Sequence, residues 1–110
     1  MMKLLITSAA VMMLCLGGTA HAQSAAKGDA AAATHKVSMC IGCHGLAGYK
    51  TAFPTVYSVP MIGGQSAQYV AKALQAYRAD ERSHPTMTAI AKSLSDKDIE
   101  DLAAYYGRGK

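Results

Sequence analysis

Apolar positions recur with a helical period in three stretches of the chain, and irregular segments separate them. Asp29 is placed to cap a first helix over Ala30 to Met39, which is alanine-rich and free of Gly and Pro. Ala33, Val37 and Cys40 fall along one face of it. Ser66 opens a second helix running to about Ala79, with a stripe of Tyr69, Val70, Ala73, Leu74 and Tyr77, while Lys72 and Gln75 lie off the stripe. Asp80 to Pro85 breaks the pattern, and a short helical turn over Thr86 to Ser93 follows. Ser95 then caps the last helix. Asp98 stands three residues on in a capping-box arrangement, and Ile99, Leu102, Ala103 and Tyr106 form the stripe. Asp96 and Asp98 suit the positive start of that helix, and Arg108 and Lys110 its negative end. No segment alternates convincingly as a strand and no repeat is visible, so the expected fold class is all-α.

Gly45 to Gln65 is the exception to the helical pattern. It holds Gly45, Gly48, Pro54, Pro60, Gly63 and Gly64 and has no sustained period. A long structureless segment in a small domain usually has a task, and wrapping a flat cofactor would be one.

The N-terminus changes the size of the domain. Met1-Met2-Lys3 is a short positive start, and Leu4 to Gly18 is apolar but short for a membrane span. Thr19-Ala20-His21-Ala22 has small residues where a signal peptidase needs them. The expectation is a cleaved signal over residues 1–22, a mature start at Gln23, and a periplasmic domain over residues 23–110 without stable membrane insertion. An uncleaved anchor is the rival. A lipidated Cys15 is disfavoured because Met12-Met13-Leu14 lack the small residues such a site requires.

About 88 residues remain after cleavage, a size at which an apolar core is marginal without a staple. Of three cysteines, Cys15 leaves with the signal, and a disulfide between Cys40 and Cys43 would close too small a loop to stabilise much. Some other filler is needed. The net charge of +4 and pI near 9.1 favour acidic protein partners through steering. Nucleic acid is an improbable partner without basic runs or an aromatic recognition patch.

Cys40-Ile41-Gly42-Cys43-His44 supplies the chemistry. Cysteines at i and i+3 lie on one side of a helical turn, where each sulfur can add to one vinyl group of a haem. His44 is then placed to bind the iron from one face. A thioredoxin-like pair would need a preceding strand in a βαβ context, and the preceding segment reads as helix. A structural zinc site needs four ligands; with one cysteine pair, His35 and His84 would have to complete it. A covalent haem would also be the missing staple. Met39 precedes the motif on the near side. Candidates for the far face are Met87, Met61 and His84. Met87 is favoured, since it lies between Pro85 and the final helix on a segment free to cross that face. His and Met ligation would hold the haem at high potential for electron transfer. Packing or surface roles suit His35 and His84.

The stretch from Cys40 to Tyr106 resembles the small bacterial monohaem class I c-type cytochromes. The likeness rests on Cys40-Ile41-Gly42-Cys43-His44-Gly45, on Pro60-Met61-Ile62-Gly63-Gly64-Gln65, and on Tyr69, Leu74 and Tyr77. It continues through Arg82 to Met87, Leu94-Ser95-Asp96, Asp98-Ile99 and Leu102 to Tyr106. The resemblance implies N- and C-terminal helices crossing beside a single covalent haem c, and Met87 as distal ligand. It also implies that the carbonyl of Pro60 accepts the free ring N–H of His44. Tyr49 to Val59 is longer and more aromatic than the family pattern, and Gly45-Leu46-Ala47-Gly48 lacks its usual polar residue. Four-helix-bundle cytochromes place the motif near the C-terminus and leave the iron open, unlike this chain.

The function expected is a periplasmic electron carrier, not an enzyme, with redox-protein donor and acceptor bearing acidic docking surfaces. Lys50, Arg78, Arg82 and Lys92 are candidates to ring the haem edge. Two rivals are the haem subunit of a larger periplasmic oxidoreductase, docked through Tyr49, Phe53 and Tyr57, and a peroxidase with an open iron.

Overall fold

The computed structural model describes residues 28–52 and 55–107. A 3-10 turn, Ala32–His35, leads into α1 (Ser38–His44), followed by β1 (Lys50–Thr51) and β2 (Tyr57–Ser58). Then come α2 (Ala67–Arg78), α3 (Pro85–Lys92) and α4 (Asp96–Tyr106). The molecule is mostly helical, and its N-terminal helical segment lies against α4. The expected signal peptide, Phe53, Arg108 and Lys110 fall outside the described residues.

Three helices follow the sequence pattern closely. The Ser66 side chain accepts from the Tyr69 N–H at the start of α2. Ser95 and Asp98 form the reciprocal capping box at the start of α4, which satisfies two otherwise orphaned donors. α3 begins one residue early, at Pro85, because proline suits the first helical turn.

Two expectations need correction. Ala30 to Met39 is not one helix but a 3-10 turn followed by α1, so the Cys40–His44 motif forms the body of α1 rather than the end of a longer helix. Local side-chain bonds compete with a regular helix here. Asp29 accepts from the Ala31 N–H at 2.8 Å, and the Thr34 hydroxyl donates to the Ala31 carbonyl at 2.7 Å. Second, the loop contains a short antiparallel ribbon, with Lys50 opposite Ser58 and Thr51 opposite Tyr57. Strands of two residues are too short to leave an alternation in sequence.

The core is small. Ala33, Leu94, Ile99 and Leu102 form its buried cluster, with Val37, Cys40, Leu74 and Tyr106 packed against it. Full burial of side chains the size of Ile99 and Leu102 is worth about 1.5–3 kcal/mol each. Glycine permits two close crossings. A Cβ on Gly28 would overlap the Glu100 carbonyl of α4, and one on Gly107 would stand 2.5 Å from the Ala67 Cβ at the start of α2. Asp101 seals the first crossing. Its side chain is fully buried, accepts from the Asp29 N–H at 2.8 Å, and is reached by Lys97 and Lys36. Nothing in the apolar stripe of α4 announced a buried carboxylate at that position.

Candidate functional site

α1 carries Cys40, Cys43 and His44 into the wall of a cavity of about 450 Å³. That is within the usual range for a bound small molecule or cofactor. Pro60 and Met61 contribute from the loop, Val70, Leu74 and Tyr77 from α2, Met87 and Ile90 from α3, and Leu102 and Tyr106 from α4. The α2 stripe thus faces the cavity as well as its neighbouring helices, which explains why Tyr69 is half exposed although it keeps the helical period.

Cys40 and Cys43 are not joined to each other. Burial pushes the Cys40 thiol up. His44 Nδ1 lies 2.6 Å from the carbonyl oxygen of Pro60. A carbonyl can only accept, so Nδ1 carries the proton and Nε2 is left with its lone pair. Met87 lies in the first turn of α3. There the His84 side chain acts as N-cap, its Nδ1 accepting from the Met87 N–H at 3.4 Å. His84 also packs edge-to-face on Tyr57, with ring centroids 5.0 Å apart. Its packing role is therefore specific: it starts the helix that carries Met87 and ties that helix to the ribbon.

No group of three or more His, Cys, Asp or Glu side chains able to hold a metal ion occurs among the described residues. The four cations expected around the haem edge stand in different settings. Arg78 binds Asp96 at 2.5 Å and Lys92 binds Asp80 at 2.7 Å, whereas Arg82 lines the cavity and Lys50 is exposed on β1. Tyr49 and Tyr57 are partly exposed, as a docking patch would require.

The cavity suits a flat apolar group with polar substituents. Its lining is mostly apolar, yet the Thr51 Oγ1 and the Tyr106 hydroxyl are buried in it without hydrogen-bond partners. Burial raises the Tyr106 pKa well above the usual phenol range. Buried polar atoms are seldom left unpaired, because the loss costs about 1–3 kcal/mol. A sulfur pair, an imidazole with a free Nε2 and a thioether facing the same space form a donor set that fits a covalently attached haem.

Comparison with known proteins agrees. The family model for cytochrome c matches residues 25–106. Cytochrome c-554(548) of Halomonas halodenitrificans is 44% identical over 82 residues, covering 72% of this chain and 94% of its own. Cytochrome c4 of Pseudomonas aeruginosa is 36% identical over 110 residues, covering 100% of this chain and 50% of its own, so the chain spans about half the length of that relative. The thiosulfate dehydrogenase electron acceptor of Stutzerimonas stutzeri is 36% identical over 70 residues, 61% of this chain and 31% of its own. With its Cys-x-x-Cys-His motif built into a helix at the wall of an apolar cavity, the chain belongs to the cytochrome c family, whose members are electron carriers with covalent haem c.

Proposed function

We propose that the chain is a periplasmic single-electron shuttle holding one haem c between His44 and Met87. Cys40 and Cys43 would supply the two thioether links. The reading rests on one observation above the others: Met87, far downstream in sequence, lines the same apolar cavity as Cys40, Cys43 and His44. When bound, the haem supplies a one-electron iron couple. The protein's part is to hold the ligands still. The Pro60 carbonyl fixes the His44 ring and strengthens Nε2 as a donor. Met87 is placed by a capped helix, and its thioether favours the reduced state. The walls from α2 and α4 keep water from the centre, so little has to reorganise when the electron moves.

Export rests on Met1 to Ala22, with cleavage after Ala22. Among the described residues no helix is long and apolar enough to cross a membrane. The donor and acceptor are redox proteins with acidic docking surfaces, matched to a basic chain whose net charge of +4 falls by one when Lys3 leaves with the signal.

Absorption spectra of the purified protein in both redox states test the centre. The ferrous bands report two thioether links, and a weak far-red ferric band reports Met ligation. A haem-free protein, or a ferric spectrum without that band, would overturn the reading. N-terminal sequencing of the purified protein tests export: it should begin at Gln23.

A second reading is the haem subunit of a larger periplasmic oxidoreductase, for instance one oxidising a sulfur compound, a substrate class suggested by the relative whose name is thiosulfate dehydrogenase electron acceptor. Co-purification with a catalytic subunit supports it, and a monomer active as a free acceptor counts against it.

A further inference from the structure

Tyr57 stands three residues before Pro60, whose carbonyl holds the His44 ring, and His84 stands three residues before Met87. The Tyr57 and His84 rings meet edge-to-face, with centroids 5.0 Å apart and planes inclined by 68°. Aromatic pairs in that arrangement attract beyond simple burial. Both rings line the cavity. The contact therefore straps the segment that fixes one proposed ligand to the segment that carries the other. Away from this strap, α3 packs on α2.

His84 is also an unusual residue to begin a helix. Ser, Thr, Asp and Asn lead at that position, and the chain uses Ser at the starts of α2 and α4. At α3, Pro85 has no N–H to satisfy. The His84 Nδ1 instead takes up the N–H of Met87 itself, at 3.4 Å, which is long for a hydrogen bond. A smaller side chain would cap at least as well. What an imidazole adds is a ring to pack, and Tyr57 packs on it. We propose that His84 is the positioning residue for Met87 and acts through two arms: Nδ1 holds the first turn of α3, and the ring, clamped by Tyr57, keeps that turn closed over the cavity. The inference rests on the haem-carrier reading. Its consequence is control of access. An outside ligand reaches the iron only when Met87 gives way, so its apparent affinity scales with the fraction of molecules in which the α3 turn is open.

The test is an imidazole titration of the ferric holoprotein at fixed pH, read by loss of the far-red band. It compares wild type, Tyr57→Phe, Tyr57→Ala, His84→Asn, the Tyr57→Ala/His84→Asn double variant and Ile99→Val. Asn keeps a side-chain cap and removes the ring. Tyr57→Ala and His84→Asn should each bind imidazole about fivefold more tightly than wild type. The double variant should bind no more tightly than His84→Asn, since both changes remove the same contact. Tyr57→Phe keeps a ring and should retain wild-type affinity. Ile99 is buried in α4 outside the cavity lining, so Ile99→Val weakens the fold without touching the strap and should also match wild type. Effects of Tyr57→Ala and His84→Asn that add in the double variant would overturn the proposal. So would wild-type affinity in His84→Asn, or a gain in Ile99→Val as large as theirs. Proton NMR of the wild-type holoprotein gives a second reading independent of variant folding. Cross-relaxation between the Tyr57 and His84 ring protons supports the strap, and its absence overturns it. Attached haem with its far-red band in the wild type keeps the carrier reading intact in either case.

Discussion

The Nδ1 of His44 and the carbonyl oxygen of Pro60 meet at 2.6 Å across sixteen residues of sequence. The contact joins the end of α1 to the loop that follows the ribbon, and it fixes the imidazole by a group that no side-chain substitution can remove. Its proton should exchange slowly with solvent in the holoprotein, and proton NMR of the ferrous state would show it. Pro60→Ala keeps the carbonyl and should change the reduction equilibrium by less than about threefold, or about 28 mV. An unprotected His44 ring proton would show that the bond does not persist.

Met87 and Met61 both line the cavity, but they are held differently. Met87 is half-buried in a helix capped by His84, whereas Met61 is 52% exposed in the loop. Met87→Ala should abolish the far-red ferric band and lower the potential, because a thioether ligand favours ferrous iron. Met61→Ala should keep the band. Optical spectra of the two variants decide between them, and a band that survives in Met87→Ala would move the ligand elsewhere.

The helices were legible because each carries its own signal: Ser66, Pro85 and Ser95 mark starts, and the stripes mark faces. The motif was legible because its chemistry needs adjacent residues. The remaining features depend on partners distant in sequence. Asp101 reads as an ordinary helix-surface acid until Asp29 and Lys36 close over it. Arg82 reads as one of several cations until ion pairs occupy Arg78 and Lys92. The kink between the 3-10 turn and α1 depends on local bonds from Asp29 and Thr34 that helix propensity does not anticipate.

The carboxylates that tie the N-terminal segment to α4 set a pH dependence. Lys36, paired with Asp98, holds the Asp98 carboxyl well below the usual range. The Asp29 N–H, followed by Lys97, lowers Asp101. A depressed folded pKa contributes stability above the unfolded value of about 3.9, and that stability is lost as pH falls through the folded pKa. Lys36 behaves in the opposite sense: raised by Asp98, it contributes fully below about 10.4 and loses that contribution as pH rises through its folded pKa. Thermal melting of the holoprotein should therefore weaken below about pH 4 and again above about pH 10. Asp101→Asn should lower the melting temperature at pH 7 and flatten the acid limb. An acid limb as steep as that of wild type would show that Asp101 does not govern it.

Ile99 separates packing from redox chemistry. It is fully buried in the cluster with Ala33, Leu94 and Leu102, but unlike Leu102 it does not line the cavity. Ile99→Ala leaves a hole where the N-terminal segment meets α4 and should destabilise the holoprotein by about 2–5 kcal/mol, while Ile99→Val should cost about 0.5–1.5 kcal/mol. In denaturant titrations the loss should appear as a lower midpoint with an unchanged slope. Spectra and midpoint potential in native buffer should match wild type, because the proposed ligands His44 and Met87 rest on α1 and α3 rather than on this contact. A large shift in potential from Ile99→Ala at constant denaturation midpoint would mean that the α4 crossing controls the iron site directly.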